Sequence, residues 1–246
     1  MKKILLLIFS VLCITVNAQT VKIAAASDMK YIMPEIILKY KTKNPNANIE
    51  VAYGSSGMFF QQISSGANYD IYFSADISYP KKLKEQGFVI GDIKTYAFGA
   101  LVLWSSTLDV SKGIEILNNS SIKKIAIANP QHAPYGKRAE ECLKYYKIYD
   151  KVSDKLVLGD NITQTAQFAV TGNADIAFIA LALAVAPEMK TKGTYFKLDS
   201  KSYTPLEQAC VLLKNSEANS EAAKFMTYIL SKDCKPIFEK YGFILP

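Results

Sequence analysis

Histidine and arginine are almost missing from this 246-residue sequence, which contains one of each, His132 and Arg138. A single histidine excludes a metal site built from several histidines, and no Cys-x-x-Cys pair offers the spacing that zinc sites use. The net charge of +7 comes from lysines placed singly or in pairs. Nucleic-acid-binding domains usually gather Arg and Lys in a recognisable motif. We therefore expect no nucleic-acid partner and no side-chain metal ligands, and a lysine surface that mildly favours anions.

Cysteine is also scarce, with Cys142, Cys210 and Cys234 as the three that follow the N-terminal segment. An odd number in an exported protein leaves at least one thiol unpaired. Buried free thiols are the favoured interpretation, and a Cys210–Cys234 disulfide is the alternative.

Long apolar runs are absent except at the N-terminus, where residues 4–16 are almost entirely apolar. Lys2 and Lys3 precede this run, and Val16-Asn17-Ala18 follows it as a small-x-small site. A basic start, a short apolar stretch and a small-residue site together predict a secretory signal peptide.

The signal peptide predicts a periplasmic protein, cleaved near Ala18, whose mature chain starts near Gln19. Leu12 before Cys13 is larger than the small residue that lipoprotein cleavage needs. No second apolar run is long enough to span a bilayer, so we expect no membrane anchor.

Short apolar runs alternate with amphipathic stretches along the rest of the chain. This alternation predicts an α/β protein with parallel sheets and crossover helices on both faces. Strands are predicted at 21–26, 48–53, 70–74, 99–104, 124–128, 155–158 and 175–179, and residues 203–213 are predicted to mix a loop and a strand.

Four turns that follow predicted strands combine small or polar residues with a helix start: Ser27-Asp28, 54–57, 133–136 and 159–162. The first turn of a helix leaves backbone N–H groups unpaired at the positive end of the helix dipole, so it can hold an anion. Ser and Asp at such places also serve as ordinary helix caps. None of the four turns contains Lys or Arg ahead of the helix, so neutral donors would have to bind the anion.

The sequence offers no catalytic constellation. Gly54-Ser55-Ser56-Gly57 fits neither the G-x-S-x-G elbow of hydrolases nor a phosphate-binding P-loop. His132 could act as a general base, but no nucleophile lies at a fitting spacing. We therefore predict no catalytic residues and no enzyme activity.

Several motifs, in this order and spacing, together cover the chain from Val21 to Pro246. In this combination the sequence resembles the periplasmic molybdate-binding proteins of ABC transporters. The motifs are 24–28 (AAASD), 53–57 (YGSSG), 70–76 (DIYFSAD), 129–136 (NPQHAPYG), 159–162 (GDNI), 172–175 (GNAD) and 239–243 (EKYGF).

The resemblance implies a periplasmic-binding-protein-like fold of type II, with two α/β lobes, a hinge and a ligand cleft. Lobe 1 would comprise residues 19–98 plus 203–246, and lobe 2 residues 99–202. The lobes would close over molybdate or tungstate, and the closed protein would deliver it to a membrane ABC permease. No cofactor is implied, and we expect a monomer.

The resemblance also implies the site residues. Ser27 and Ser56 would bind the oxyanion by hydroxyl and backbone N–H, Tyr135 and Ile162 by backbone N–H, and the Asp28 amide could point inward. The metal atom would have no direct protein ligand. Some members of the family place a tyrosine hydroxyl on the anion where this sequence has Ala180, and the Tyr135 hydroxyl could replace it.

Other functions stay open at this point. The nearest alternative is a receptor for sulfate, thiosulfate or phosphate. A second is a secreted serine hydrolase with Ser27 or Ser56 as nucleophile, which lacks an identifiable base. A third is the ligand-sensing domain of a transcription regulator, which the signal peptide and the lack of a DNA-binding segment disfavour.

Overall fold

A computed structural model describes residues 19–246, so the predicted signal peptide, residues 1–18, lies outside the described residues. The described strands form two five-stranded sheets. In spatial order, sheet 1 contains β2 (Asn48–Gly54), β1 (Thr20–Ala26), β3 (Ile71–Ser74), β10 (Leu206–Leu213) and β4 (Val89–Gly99). Sheet 2 contains β7 (Leu156–Gly159), β6 (Ile125–Ala128), β8 (Ile176–Ala180), β5 (Leu101–Ser105) and β9 (Thr194–Lys197).

Helices cover both faces of each sheet. They are α1 (Ile32–Lys41), α2 (Ser56–Ser64), α3 (Ser78–Glu85), α4 (Pro134–Tyr145), α5 (Tyr149–Val152), α6 (Ile162–Val170), α7 (Leu181–Ala184), α8 (Pro187–Lys190), α9 (Ser220–Ile229) and α10 (Lys235–Lys240). Short 3₁₀ turns lie between some of these elements, and one of them, Ser27–Met29, follows β1 directly.

Sheet 1 lies between two helical layers because its internal strand β1 buries apolar residues on both faces. Successive side chains of a strand point to opposite faces. Val21, Ile23 and Ala25 of β1 pack with α1, α9 and α10, whereas Ala24 packs with α2 and α3. Each fully buried Val or Ile contributes about 1.5–3 kcal/mol, so β1 is a rigid base for the turn at its carboxyl end.

Sheet 2 is built in the same way around Trp104 of β5 and Phe178 of β8, both fully buried. Small residues of α4 and α6, such as Ala139 and Ala169, pack against this core and let the helices approach the sheet closely. The turns that precede α4 and α6 are therefore held against the carboxyl ends of β6 and β7.

The prediction of purely parallel sheets is wrong for two strands. β10 runs antiparallel to β3 and β4, and β5 runs antiparallel to β8 and β9. The chain passes directly from β4 to β5, and from β9 to β10 without an α-helix, so no helix carries it back to the far end of a sheet. β5 and β10 therefore each start at the end of the sheet that faces the other sheet, and each runs antiparallel to its two neighbours.

The sequence patterns also missed β4 and β9. β4 contains the exposed Gly91-Asp92 pair and buries only Tyr96 and Ala97, and β9 is exposed throughout. Both lie at the edges of their sheets, where polar residues are tolerated and the apolar signal is weak.

The lobe limits at 98/99 and 202/203 stay predictions. Strand membership changes from sheet 1 to sheet 2 between Gly99 and Leu101, and back between Lys197 and Leu206.

The three described cysteines, Cys142, Cys210 and Cys234, are buried and free, so no disulfide joins residues in the range 19–246. This agrees with the favoured interpretation from the sequence. Burial raises the pKa of the Cys210 thiol to about 12, which keeps it protonated and unreactive.

Candidate anion-binding site

A small cavity lies where the carboxyl ends of the parallel strands of the two sheets face each other. It has about 200 Å³ of empty space, part of it open to solvent. Ligands of open α/β sheets bind at this edge. The turns after β1, β2, β3, β6 and β7 supply its lining: Ala26, Ser27, Asp28, Gly54, Ser55, Ser56, Ala75, Ala133, Pro134, Tyr135 and Ile162.

All five residues that the sequence singled out line this one cavity, and each is at most 4% exposed. Ser27, Asp28 and Ser56 come from the side of sheet 1, whereas Tyr135 and Ile162 come from that of sheet 2. The structure thus brings together residues up to 135 positions apart in sequence. Their contact with an anion stays a prediction.

The two serines of the YGSSG segment have different roles. Ser55 is the N-cap of α2, and its Oγ accepts a hydrogen bond from Met58 N at 3.4 Å. Ser56 Oγ accepts a bond from Ala75 N at 3.0 Å, and Tyr72 Oη donates to the Ser56 carbonyl at 2.7 Å. A hydroxyl has one donor hydrogen, and the Ser56 hydroxyl donates to no other described residue. The Ser56 hydroxyl is therefore held in place with its hydrogen free.

Ser27 is held across the cleft by the start of α6. Its Oγ donates to Asn161 Oδ1 at 3.2 Å and lies 3.4 Å from Thr163 N, and Thr163 Oγ1 donates to the Ser27 carbonyl at 2.9 Å. The sequence suggested that Ser27 and Asp28 cap a helix. That interpretation is wrong, because α1 begins at Ile32 without a side-chain cap.

Two helix starts on the side of sheet 2 contribute residues with unpaired backbone N–H groups to the lining. Asn161 caps α6 by accepting from Thr163 N and Gln164 N, so the N–H of Ile162 is left unpaired at the first helical position. Tyr135 follows Pro134 in the first turn of α4. N–H groups in a first turn have no partner within their helix, and neither of these two donates to another described residue.

Asp28 is the acidic residue of the lining, and it is 1% exposed. Its Oδ2 accepts hydrogen bonds from Gln208 Nε2 at 2.6 Å and from Tyr135 Oη at 3.0 Å. Tyr96 Oη in turn donates to Gln208 Oε1 at 2.6 Å. Burial raises the pKa of the Asp28 carboxyl to about 6, although the bonds from Gln208 and Tyr135 oppose the rise. The Tyr135 hydroxyl is thus used on Asp28, and its predicted contact with the anion would require it to exchange partners.

No lysine or arginine lines the cavity. Arg138, on α4 outside the lining, pairs instead with Asp76 at 2.8 Å and with Glu141 at 3.0 Å. Asp76 follows β3 and Glu141 lies on α4, so the guanidinium joins the two sides of the cleft. The positive charge of Arg138 therefore lies beside the cavity, where the Asp76 and Glu141 carboxylates neutralise it.

The structure pairs His132 with a serine that sequence reasoning did not choose. His132 Nδ1 lies 2.8 Å from Ser55 Oγ, and its carbonyl accepts from Gly57 N at 2.8 Å. A Cβ atom on Gly57 would lie 2.6 Å from that carbonyl oxygen, so only glycine lets the two lobes approach here. Ser27 and Ser56, the nucleophiles considered from the sequence, contact no histidine in the described part of the chain.

Within residues 19–246, no cluster of His, Cys, Asp or Glu could hold a metal ion. In the same range, no helix has the length and apolar character needed to cross a membrane.

Two α/β lobes facing each other across a cavity lined by neutral donors define the class of two-lobed solute-binding proteins. The chain matches the family described as bacterial extracellular solute-binding protein over residues 21–244, and it belongs to this family.

Individual relatives within this family of solute-binding proteins are molybdate-binding proteins. The chain is 33% identical over 204 residues to the molybdate-binding protein ModA of Rhodobacter capsulatus, covering 82% of this chain and 80% of that protein. It is 32% identical to ModA of Azotobacter vinelandii, covering 92% and 90% of the two chains. The resemblance stated from the sequence is confirmed by these relatives.

Solved structures agree with this assignment. The periplasmic molybdate-binding protein of Azotobacter vinelandii superposes with a TM-score of 0.87 at 30% identity, over 92% of this chain and 99% of that one. The sulfate-binding protein SubI of Mycobacterium tuberculosis, at 14% identity and a TM-score of 0.69, shares the fold alone. The two-lobed α/β fold predicted from the sequence is thereby confirmed.

Proposed function

We propose that the protein captures molybdate or tungstate in the periplasm and delivers it to a membrane ABC permease. The observation that carries this proposal is the single cavity formed by Ser27, Asp28, Ser56, Tyr135 and Ile162. Its free donors are the Ser56 hydroxyl and the backbone N–H groups of Tyr135 and Ile162, and such donors make short, strong hydrogen bonds to an anion. The relatives named above support the choice of anion.

The mechanism is hinge closure driven by the ligand. Ser27 and Ser56 bind the anion from lobe 1, and the N–H groups of Tyr135 and Ile162 bind it from lobe 2. An open protein offers only half of these donors, so the anion binds the closed form more tightly and shifts the population toward it. The permease then recognises the closed form.

Discrimination against sulfate rests on size, because molybdate, tungstate and sulfate are all doubly charged tetrahedra. A cavity fixed by four helix or strand ends cannot shrink around a smaller ion without loss of packing. A smaller anion therefore leaves some donors at longer, weaker distances.

Calorimetric titration of the mature protein tests the proposal. We expect molybdate and tungstate to bind one per chain, and sulfate and phosphate to bind about tenfold or more weakly, a difference of about 1.4 kcal/mol. Equal or tighter binding of sulfate or phosphate would favour the alternative receptor. Steady turnover of ester or phosphate-ester substrates, abolished by Ser55→Ala, would favour the hydrolase.

The export step has its own test. N-terminal sequencing of protein recovered from the periplasmic fraction should give Gln19 as the first residue. An intact Met1 in that fraction would contradict cleavage near Ala18.

A further inference from the structure

Asp28 is an unexpected residue for an anion site. It lines the cavity, it is almost completely buried, and no cation lines the cavity with it. A carboxylate in this position would repel a doubly negative ligand through a poorly screened interior.

The Asp28 side chain cannot simply turn away. Gln208 Nε2 and Tyr135 Oη both donate to Oδ2, and Gln208 Oε1 is itself fixed by Tyr96 Oη. The second oxygen, Oδ1, is buried and accepts no hydrogen bond of full geometry from the described residues, although the backbone N–H groups of Asp28 and Met29 lie near the carboxyl and weakly oppose the rise of its pKa. A buried acceptor without a partner is costly, and the cost disappears if the oxygen carries a hydrogen that it can donate.

We propose that the Asp28 carboxyl takes up one proton from solvent when the anion binds, and that the neutral acid donates its Oδ1 hydrogen to the anion. This inference rests on the proposed function, since it concerns the same cavity and the same ligand. The balance is one aspartate, one solvent proton and one dianion giving a hydrogen-bonded complex with a net charge of −2. The site then has a donor where the free protein has a negative charge.

The chemistry of the free protein supports this direction. In the closed arrangement, burial raises the pKa of Asp28 to about 6 without any anion. A bound dianion raises it further, because a like charge disfavours ionisation. The proton is therefore taken up on binding at pH values between about 6 and the higher pKa of the complex, and affinity falls as the pH rises through that range.

The two tyrosines in contact with the Asp28–Gln208 pair cannot replace Asp28 as the proton acceptor. Burial raises the pKa of Tyr96 and Tyr135 far above neutrality, so both stay protonated. The 3₁₀ turn also packs against β2, α6 and α7, which present Tyr53, Thr163 and the apolar Leu181–Ala184 segment. The remaining charged or titratable groups nearby are His132, bound to Ser55; the exposed Lys30; Tyr203, on the far side of Tyr135; and Arg138 with its partners Asp76 and Glu141.

Proton-linked calorimetry tests the proposal in the full mature protein. Molybdate is titrated at pH 8 in two buffers that differ in ionisation enthalpy. We expect an uptake close to one proton per anion and an affinity that falls about tenfold per pH unit between pH 7 and pH 8. Binding with no proton uptake and no pH dependence would overturn the inference but leave the proposed function standing.

The variant Asp28→Asn assigns the proton to this residue. The amide has the shape of the neutral acid, with an oxygen for Gln208 and Tyr135 and an N–H for the anion. We expect it to bind molybdate with no pH dependence and, at pH 8, at least as tightly as the unmodified protein. A folded Asp28→Asn protein that keeps the pH dependence, or loses binding, would overturn the proposal.

Two further measurements keep the test decisive if that variant does not fold. His132→Gln should keep the pH dependence, whatever its affinity, and loss of the dependence there would assign the proton to the histidine instead. Infrared difference spectra of the unmodified protein should show a carboxylic-acid carbonyl band that appears on binding molybdate, and its absence would contradict a protonated Asp28. Failure of molybdate to bind at any pH would instead remove the proposed function itself.

Discussion

The two lobes meet at two polar places that are built in opposite ways. In the cavity, hydroxyls and backbone N–H groups from both sides face each other with no cation among them. Beside it, the Arg138 cluster, formed by Arg138, Asp76 and Glu141, joins the same two sides with full charges in contact. Glu141 is fixed further by Thr204 N, at 2.8 Å, on the segment that returns to sheet 1.

The two places therefore have different roles: the Arg138 cluster holds the lobes together, and the cavity responds to the ligand. The Arg138 cluster is satisfied without a ligand, so it stabilises the closed arrangement whether or not an anion is bound. The cavity has donors that remain free, so it gains only when an anion arrives. Changes in the cluster should therefore alter stability, and changes in the cavity should alter affinity.

The largest expected effect is on stability, from Arg138→Met. The substitution leaves two largely buried carboxylates without their cation, and breaking such a buried pair from one side costs about 3 kcal/mol or more. Urea unfolding of the ligand-free protein measures the loss. A change below about 1 kcal/mol, the range of surface pairs, would show that the cluster does not hold the lobes together.

Ser56→Ala should have the largest effect on affinity. It removes a free donor hydrogen from a hydroxyl that Ala75 N holds in position, and loss of such a hydrogen bond to an anion costs about 2 kcal/mol, or about 30-fold in Kd. Calorimetry with molybdate measures it. An unchanged Kd would contradict the assignment of Ser56 to the anion.

Ser27→Ala should weaken molybdate binding less, by about 1 kcal/mol, or about fivefold in Kd. The Ser27 hydroxyl already donates to Asn161 Oδ1, so it must give up one hydrogen bond to make another. The same titration applies, and a loss larger than that of Ser56→Ala would reverse the order that the structure predicts.

The smallest effect is expected from Lys144→Met, which serves as the matched control. Lys144 pairs with Glu140 on the exposed side of α4, one turn beyond Glu141. Exposed pairs of this kind contribute little to stability, because water and salt screen them. Unfolding free energy and molybdate affinity should both stay close to those of the unmodified protein.

Sequence reasoning located the cavity because its parts are local. Each of the turns after β1, β2, β6 and β7 is recognisable from an apolar run that ends in Ser, Gly, Asn or Pro. The carboxyl ends of parallel strands lie together at one end of a sheet, so such turns come close together without any further signal in the sequence. The four turns could therefore be chosen before their proximity was visible, whereas the five candidate residues within them were implied by the family resemblance.

The missed features depend on contacts between distant parts of the chain. Asp28 and Gln208 are 180 residues apart, and Gln208 lies on a strand whose direction was predicted wrongly. His132 reaches Ser55 only because Gly57 lets the lobes touch. No local sequence pattern predicts these two contacts. The Asp28 amide could therefore be proposed for the site, whereas the hydrogen-bond partners of the Asp28 carboxyl could not be predicted.

The most direct test of the account is crystallography of the mature protein with tungstate, because anomalous scattering locates tungsten without assumptions about the site. We expect one tungsten peak in the cavity, with oxyanion oxygens at hydrogen-bond distance from Ser27, Ser56 and the N–H groups of Tyr135 and Ile162. A tungsten bound on one lobe only, outside this cavity, would contradict the claim that both lobes converge on the anion.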